Sequence, residues 1–188
     1  MKKYIFIFAL LFQFSFSQDK DTASVEKSIY GIQTGILGIW IHNESRLSNE
    51  IALRSEIGLN ASIFGGSFYP KTGLLMTPVI RIEPRWYYNL EKRQSKSKNT
   101  TNNSGNFLAL QTTFNPNWFV ISNYDNIKIV NQISLIPTWG IKRNIGKNFN
   151  YETGIGIGFT NYFAKSEGYI NDVNGGIINL HLRIGYTF

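Results

Sequence analysis

The ionisable residues that could do chemistry in this chain recur at every second position within strand-like stretches. Arg54 and Glu56, then Arg81, Glu83 and Arg85, then His181 and Arg183 follow this spacing, and Glu152 precedes a run of alternate glycines. A spacing of two puts side chains on one face of a pleated backbone. All eight residues can therefore point into one polar interior, where an unpaired charge is costly and a paired one is tolerated. Two roles follow from that chemistry: a salt-bridged network that fills and rigidifies the interior, or a narrow ion path or polar ligand site.

Other candidates are weaker. His42, Glu44 and Ser45 supply the residue types of an imidazole, acid and hydroxyl relay, which requires the hydroxyl within hydrogen-bond reach of the imidazole. The polar run His42 to Ser48 reads as a solvated hairpin turn. Gly154, Gly156 and Gly158 are spaced by two, which sets them on one face of a strand; a phosphate loop needs GxGxxG at a strand-to-helix turn. Their expected role is room for large interior side chains and tight curvature. No cluster of His, Asp or Glu has metal-ligand spacing and the chain has no cysteine, so neither a metal, a thiolate nor any cofactor is expected. Lys92, Arg93, Lys96 and Lys98 crowd one polar excursion, Glu91 to Gly105, and suit phosphate groups of lipopolysaccharide. The Asn-x-Ser/Thr patterns at Asn43, Asn99 and Asn102 are read as loop composition.

The elements that position these residues are alternating stretches. Ile29 to Ile41 reads as a first strand whose in/out phase blurs after Gly35. In Ile51 to Ile63, Ile51, Leu53, Ile57, Leu59, Ala61 and Ile63 alternate with Ala52, Arg54, Glu56, Gly58, Asn60 and Ser62. Gly65 to Met76 is a connection, and Thr77 to Leu90 a strand that Pro78 and Pro84 make irregular. Phe107 to Phe114 is the next strand, Trp118 to Asn123 a short and weak one, Ile127 to Ile141 and Phe149 to Phe163 two longer ones. Gly176 to Phe188 alternates strictly, with Ile178, Leu180, Leu182, Ile184, Tyr186 and Phe188 opposite Asn179, His181, Arg183, Gly185 and Thr187. That makes eight strands, an even number that returns the chain to its starting side and sets the basic excursion on the opposite one.

At the N-terminus, Lys2 and Lys3, the apolar run Tyr4 to Phe12 and Ser15-Phe16-Ser17 read as a secretory signal peptide, residues 1–17, cut before Gln18. Residues 18–188 are then one domain, with Gln18 to Lys27 a polar lead-in. The formal charge is +7, or +5 without Lys2 and Lys3. That basicity could suit nucleic acid, but an exported chain rarely meets any, so anionic lipid and no nucleic acid is the expected partner. Mean hydropathy is −0.15 and no later apolar run could cross a bilayer as a helix, but a β-barrel needs only about 10 alternating residues per crossing. The expected fold is therefore all-β, an antiparallel up-and-down transmembrane β-barrel of eight strands. Trp40, Trp86, Tyr88, Trp118, Phe119, Trp139, Phe163 and Tyr186 lie near strand ends, as interfacial girdles do. A soluble lipocalin-like barrel would turn the apolar face inward; mid-strand Arg and Glu on the other face favour the membrane version.

The signal peptide, the eight alternating segments and the terminal aromatic make the chain resemble small outer-membrane barrels of the OmpA/OmpX type and the outer-membrane β-barrel proteins of Bacteroidota. The resemblance implies a monomer in the bacterial outer membrane, in contact with lipid and lipopolysaccharide, delivered by the barrel-assembly machinery. That machinery reads a C-terminal pattern which His181, Tyr186 and Phe188 match, while Arg183 stands where the family has glycine. The implied role is structural or surface-interactive rather than enzymatic. Alternatives are a lipid-A-modifying hydrolase, for which His42 and Ser45 would serve, and a minor narrow pore.

Overall fold

The computed structural model describes residues 23–67 and 69–188; the signal peptide expected at residues 1–17 lies outside them. Nine strands follow one another: β1 (Ser28–Gly35), β2 (Gly38–Arg46), β3 (Ile51–Phe64), β4 (Gly73–Trp86), β5 (Asn106–Asn115), β6 (Ile121–Ser122), β7 (Gln132–Ile145), β8 (Phe149–Tyr162) and β9 (Val173–Thr187). They form one antiparallel sheet in the order β3-β2-β1-β9-β8-β7-β5-β4-β6, and pairing of β3 with β4 closes it into a ring. The two-residue β6 hangs on β4 at Leu75 and Met76. Without it, eight strands make the ring.

Eight strands were expected, but not these eight. The single strand foreseen over Ile29 to Ile41 is a hairpin, β1 and β2, turning at Ile36 and Leu37. Both turn residues are apolar, so the usual polar punctuation is missing; only Gly38, at φ +145°, marks the reversal, in a conformation that side chains disfavour. The blurred phase after Gly35 was this turn. Conversely, Trp118 to Asn123 contributes only β6 and never joins the ring. The polar stretch from His42, expected to be a turn, is the second half of β2.

The prolines of β4 are absorbed by its neighbour. Pairing of β4 with β5 skips Glu83 and Pro84 and ends at Ile80, before Pro78, so neither missing N–H interrupts a continuous ladder. Pro137 sits in the same kind of gap, where pairing of β7 with β8 omits Ile136 and Pro137.

Alternation gives the ring two contrasting faces. Outward lie large apolar side chains, among them Ile57, Ile82, Leu135, Ile157, Phe159, Ile178, Leu180 and Leu182, with Phe159 79% exposed. Inward lie Arg54, Glu56, Arg81, Glu83, Arg85, Lys142, Glu152, His181 and Arg183, all buried. The buried apolar side chains that pack into one cluster are few and lie at one end: Ala23, Val25, Ala52, Tyr87, Leu90 and Phe107.

That end is capped. It carries the short turns 47–50 and 146–148, the segment 87–105 with helix α1 (Leu90–Gln94), and residues 23–27. The Val25 N–H donates to the Asn49 carbonyl at 2.8 Å, and the Glu26 N–H to Asn103 Oδ1 at 2.7 Å. Residues 23–27, expected as a free lead-in, are thus folded into the ring. The opposite end carries the two-residue β1–β2 turn and the connections 65–72, 116–131 and 163–172. The basic segment holding Lys92, Arg93, Lys96 and Lys98 lies at the capped end, on the same side as residues 23–27 and Phe188. The strand count had set it opposite them; splitting the first strand into a hairpin reverses the side of every later loop up to β6.

Candidate functional site

The interior charges meet in one connected network. Glu44 on β2 is its hub. Its two oxygens accept from Arg54 at 3.2 Å, Arg85 at 3.1 Å, Lys142 Nζ at 3.0 Å, Asn103 Nδ2 at 2.8 Å and the Tyr87 hydroxyl at 3.2 Å. Arg85 also grips Glu152 with two parallel bonds of 2.8 Å and donates to Glu83 at 3.1 Å. Bidentate, charge-assisted bonds of this kind are the strong ones, because the planar fork matches the carboxylate. Arg54, Arg85, Glu44, Glu83, Lys142 and Glu152 have no exposed surface at all.

A second layer lies toward the open end. Glu56 accepts from Arg54 and Arg183, each at 2.8 Å, and pairs closely with Arg81. Arg183 lies over the Trp40 ring, 4.2 Å from its centroid, and Arg81 donates from Nε to Thr113 at 3.1 Å. Among the described residues, Glu56 is the only ion-pair partner of Arg81 and of Arg183, and Arg54 shares it. Among the described residues, four interior carboxylates (Glu44, Glu56, Glu83, Glu152) face five cations (Arg54, Arg81, Arg85, Lys142, Arg183). The surplus positive charge falls in this second layer.

All eight residues read as an interior network are therefore in it, with His181 Nε2 3.3 Å from Glu152. The alternate glycines serve it as expected at one point: a Cβ on Gly154 would come 2.5 Å from the His181 ring. Glu44, Lys142 and Asn103 were missed. Lys142 was legible, since it continues the inward series Ser134, Thr138 of its strand. Glu44 and His42 share spacing of two with Trp40, but the apolar hairpin tip concealed the phase. Nothing local announces Asn103, an asparagine at φ +59° in a polar segment, fully buried between Glu26 and Glu44; asparagine tolerates this left-handed conformation.

The relay considered for His42 and Ser45 is not formed. His42 and Glu44 point inward, and Ser45 lies on the other face of β2, where its hydroxyl donates to Asn43 at 2.6 Å. Among the described residues, no group of three His, Cys, Asp or Glu could hold a metal ion.

Above the second layer the interior is open. A cavity of about 660 Å³ has Arg81, Arg183, His181 and Gln111 at its floor and Ile36 and Leu37 at its rim. Gln111 is 2% exposed, and its Nε2 has no hydrogen-bond partner among the described residues. The exposed loops above are tied to one another: Asn123 bridges Leu74 and Thr72, and the Tyr124 hydroxyl meets both backbone groups of Lys71. No family model, no curated protein and no solved structure matches the chain.

Proposed function

We propose that this chain is an integral outer-membrane β-barrel with a structural or surface-interaction role, its charged interior acting as a rigid core. The observation that carries this reading is the inverted burial. Water-facing proteins expose their charges and rarely leave large contiguous apolar surface bare; here the ring's outer wall is Ile, Leu, Phe, Tyr and Trp, and its charges are inside. A soluble closed sheet has the opposite polarity. Aromatics at the capped end support an interfacial girdle: Trp86 packs on Tyr88, and Tyr186 on Phe149 and Phe188.

Two of the three connections at the capped end are short turns and three of the four at the opposite end are longer loops, and in such barrels short turns mark the periplasmic end and long loops the external one. The capped end is then periplasmic, and 65–72, 116–131 and 163–172 face outward. Lys92, Arg93, Lys96 and Lys98 meet phospholipid head groups of the inner leaflet in this orientation, and the lipopolysaccharide contact proposed for them passes to exposed Lys71, Lys128 and Lys165. The packed interior and its cap argue for a barrel that does not conduct.

The test is extraction and electrophoresis. Membrane-integral behaviour predicts that the protein leaves the membrane only with detergent and that the unheated form migrates differently from the boiled one. Release by carbonate or salt alone would refute it. In planar bilayers the purified protein should give no conductance above background.

A further inference from the structure

The ring's wall has a lateral notch. β1 and β2 have 8 and 9 residues, against 14 or 15 in β3, β4, β7, β8 and β9. Pairing of β1 with β9 stops at Gly35 and Arg183, so Val173 to Leu182 have a strand partner on the β8 side alone. Pairing of β2 with β3 stops at Gly38 and Asn60, and the Ala61 N–H reaches the Leu37 carbonyl at 2.8 Å. Beyond that, Ser62 to Phe64 pair only with β4. A comparable gap on the other side of the ring, where β5 ends, is covered by β6; among the described residues no strand covers this one.

The cavity borders the notch. Its lining includes inward-pointing His181 and Arg183 and also outward-pointing Leu180 and Leu182 of the same strand. Together with Ala61 and Ser62 of β3 and Ile36 and Leu37 of the hairpin tip, these residues border the gap beside the free edge of β9. The sill is apolar: Ile36 and Leu37 form the hairpin tip, Ile36 77% exposed. The floor is cationic, with Arg81 and Arg183 sharing Glu56, and Gln111 offers an unpartnered buried donor.

Resting on the barrel reading above, we infer that the notch and cavity form a binding site for an anionic amphiphile, its carboxylate or phosphate head group held by Arg81, Arg183 and Gln111 and its hydrocarbon chain leaving through the notch along Ile36, Leu37 and Leu180. A lipid arriving from within the bilayer needs no path through the loops. A volume of 660 Å³ lies within the range of sites that enclose small ligands.

Trp40 reports on the site, since it lines the cavity and stacks against Arg183. In a variant with Trp86, Trp118 and Trp139 changed to Phe, refolded in neutral detergent, spin-labelled stearate should quench Trp40 saturably. Palmitate and lysophosphatidate should compete at low micromolar concentration. Acetate, inorganic phosphate and monoolein should compete at least 100-fold less well. Arg81→Gln should weaken stearate binding about tenfold while Arg81→Lys retains it, both judged only in protein that keeps its unheated gel mobility. Equal competition by phosphate or acetate would reduce the site to one for small anions and overturn the inference; so would equal competition by monoolein, which would leave an apolar groove. Absence of saturable quenching in protein with barrel-like mobility would sink this inference alone. Absence of that mobility would sink the barrel reading itself.

Discussion

Removing the Glu44 carboxylate tests whether the interior is held by paired charge. Arg54 would keep Glu56, and Arg85 would keep Glu152 and Glu83, but among the described residues Lys142 has no carboxylate within ion-pair distance other than Glu44. Glu44→Gln therefore strands one ammonium with no exposed surface. Breaking a buried pair from one side costs about 3–5 kcal/mol, because the remaining charge is left uncompensated. Asn103 and Tyr87 can still donate to a Gln carbonyl oxygen, so the loss falls chiefly on the charge. Replacing both partners with neutral groups removes that penalty: Glu44→Gln combined with Lys142→Met should recover at least half of the lost stability. Unfolding in guanidinium, followed by the ratio of unheated to boiled gel mobility, measures all four members of the cycle. The reasoning is refuted if the double variant is no more stable than Glu44→Gln alone, or if Glu44→Gln lies within about 1 kcal/mol of the parent, the range of ordinary surface changes.

Arg81→Leu and Arg183→Leu should each destabilise the ring by about 1.5–3 kcal/mol, since each removes charge-assisted hydrogen bonds to Glu56, which stays paired with Arg54 and the other arginine, whereas Lys96→Leu at an exposed position should change it by less than about 0.5 kcal/mol; equal unfolding midpoints for the three would defeat the idea. Gly140→Val should cost about 1–3 kcal/mol by overpacking, because even a Cβ at Gly140 would press into the Phe107 ring beneath Arg85. Near-ultraviolet circular dichroism should lose signal from the Tyr87 and Phe107 pair in that variant, and an unchanged spectrum with unchanged stability would count against the packing.

The faces of this protein were legible because alternation is a local property. Arg54 with Glu56 and Arg81 through Arg85 declare one face whatever their strands pair with, and the inward charges read from the sequence are all inside. Topology was not local in that sense. The β1–β2 turn carries Ile36 and Leu37 where turn chemistry demands polar residues, so two strands read as one. A weak pattern at Trp118 to Asn123 then restored the even total, and the loops between were assigned to the wrong ends. The cap was hidden for a different reason. Val25, Leu90 and Asn103 lie in polar segments without periodicity, and their burial comes from contacts at long sequence separation. The notch was likewise invisible, since it is the difference between strand lengths on facing sides of the ring.

Why the interior is charged rather than apolar follows from what the strands must decide. With an apolar outer wall, an apolar interior would make the two faces of every strand equivalent, and a one-residue slip would carry little penalty. Charge breaks that degeneracy, and it does so across the ring as well as between neighbours. Glu56 on β3 pairs with Arg183 on β9, and Arg85 on β4 with Glu152 on β8, joining strands that share no backbone ladder. If these pairs serve register more than net stability, replacing a complete set should separate the two. Glu56→Met with Arg81→Met and Arg183→Met removes one carboxylate and the two arginines that depend on it, leaving Arg54 with Glu44. Exchanging a whole buried ionic cluster for apolar groups is often neutral, or stabilising by about 1–4 kcal/mol. The triple variant should therefore unfold no earlier than the parent, yet refold into several species, seen as multiple unheated gel bands and extra amide resonances. A single folded species with parental resonances outside the cavity would show that register is set by the outer pattern and the turns alone.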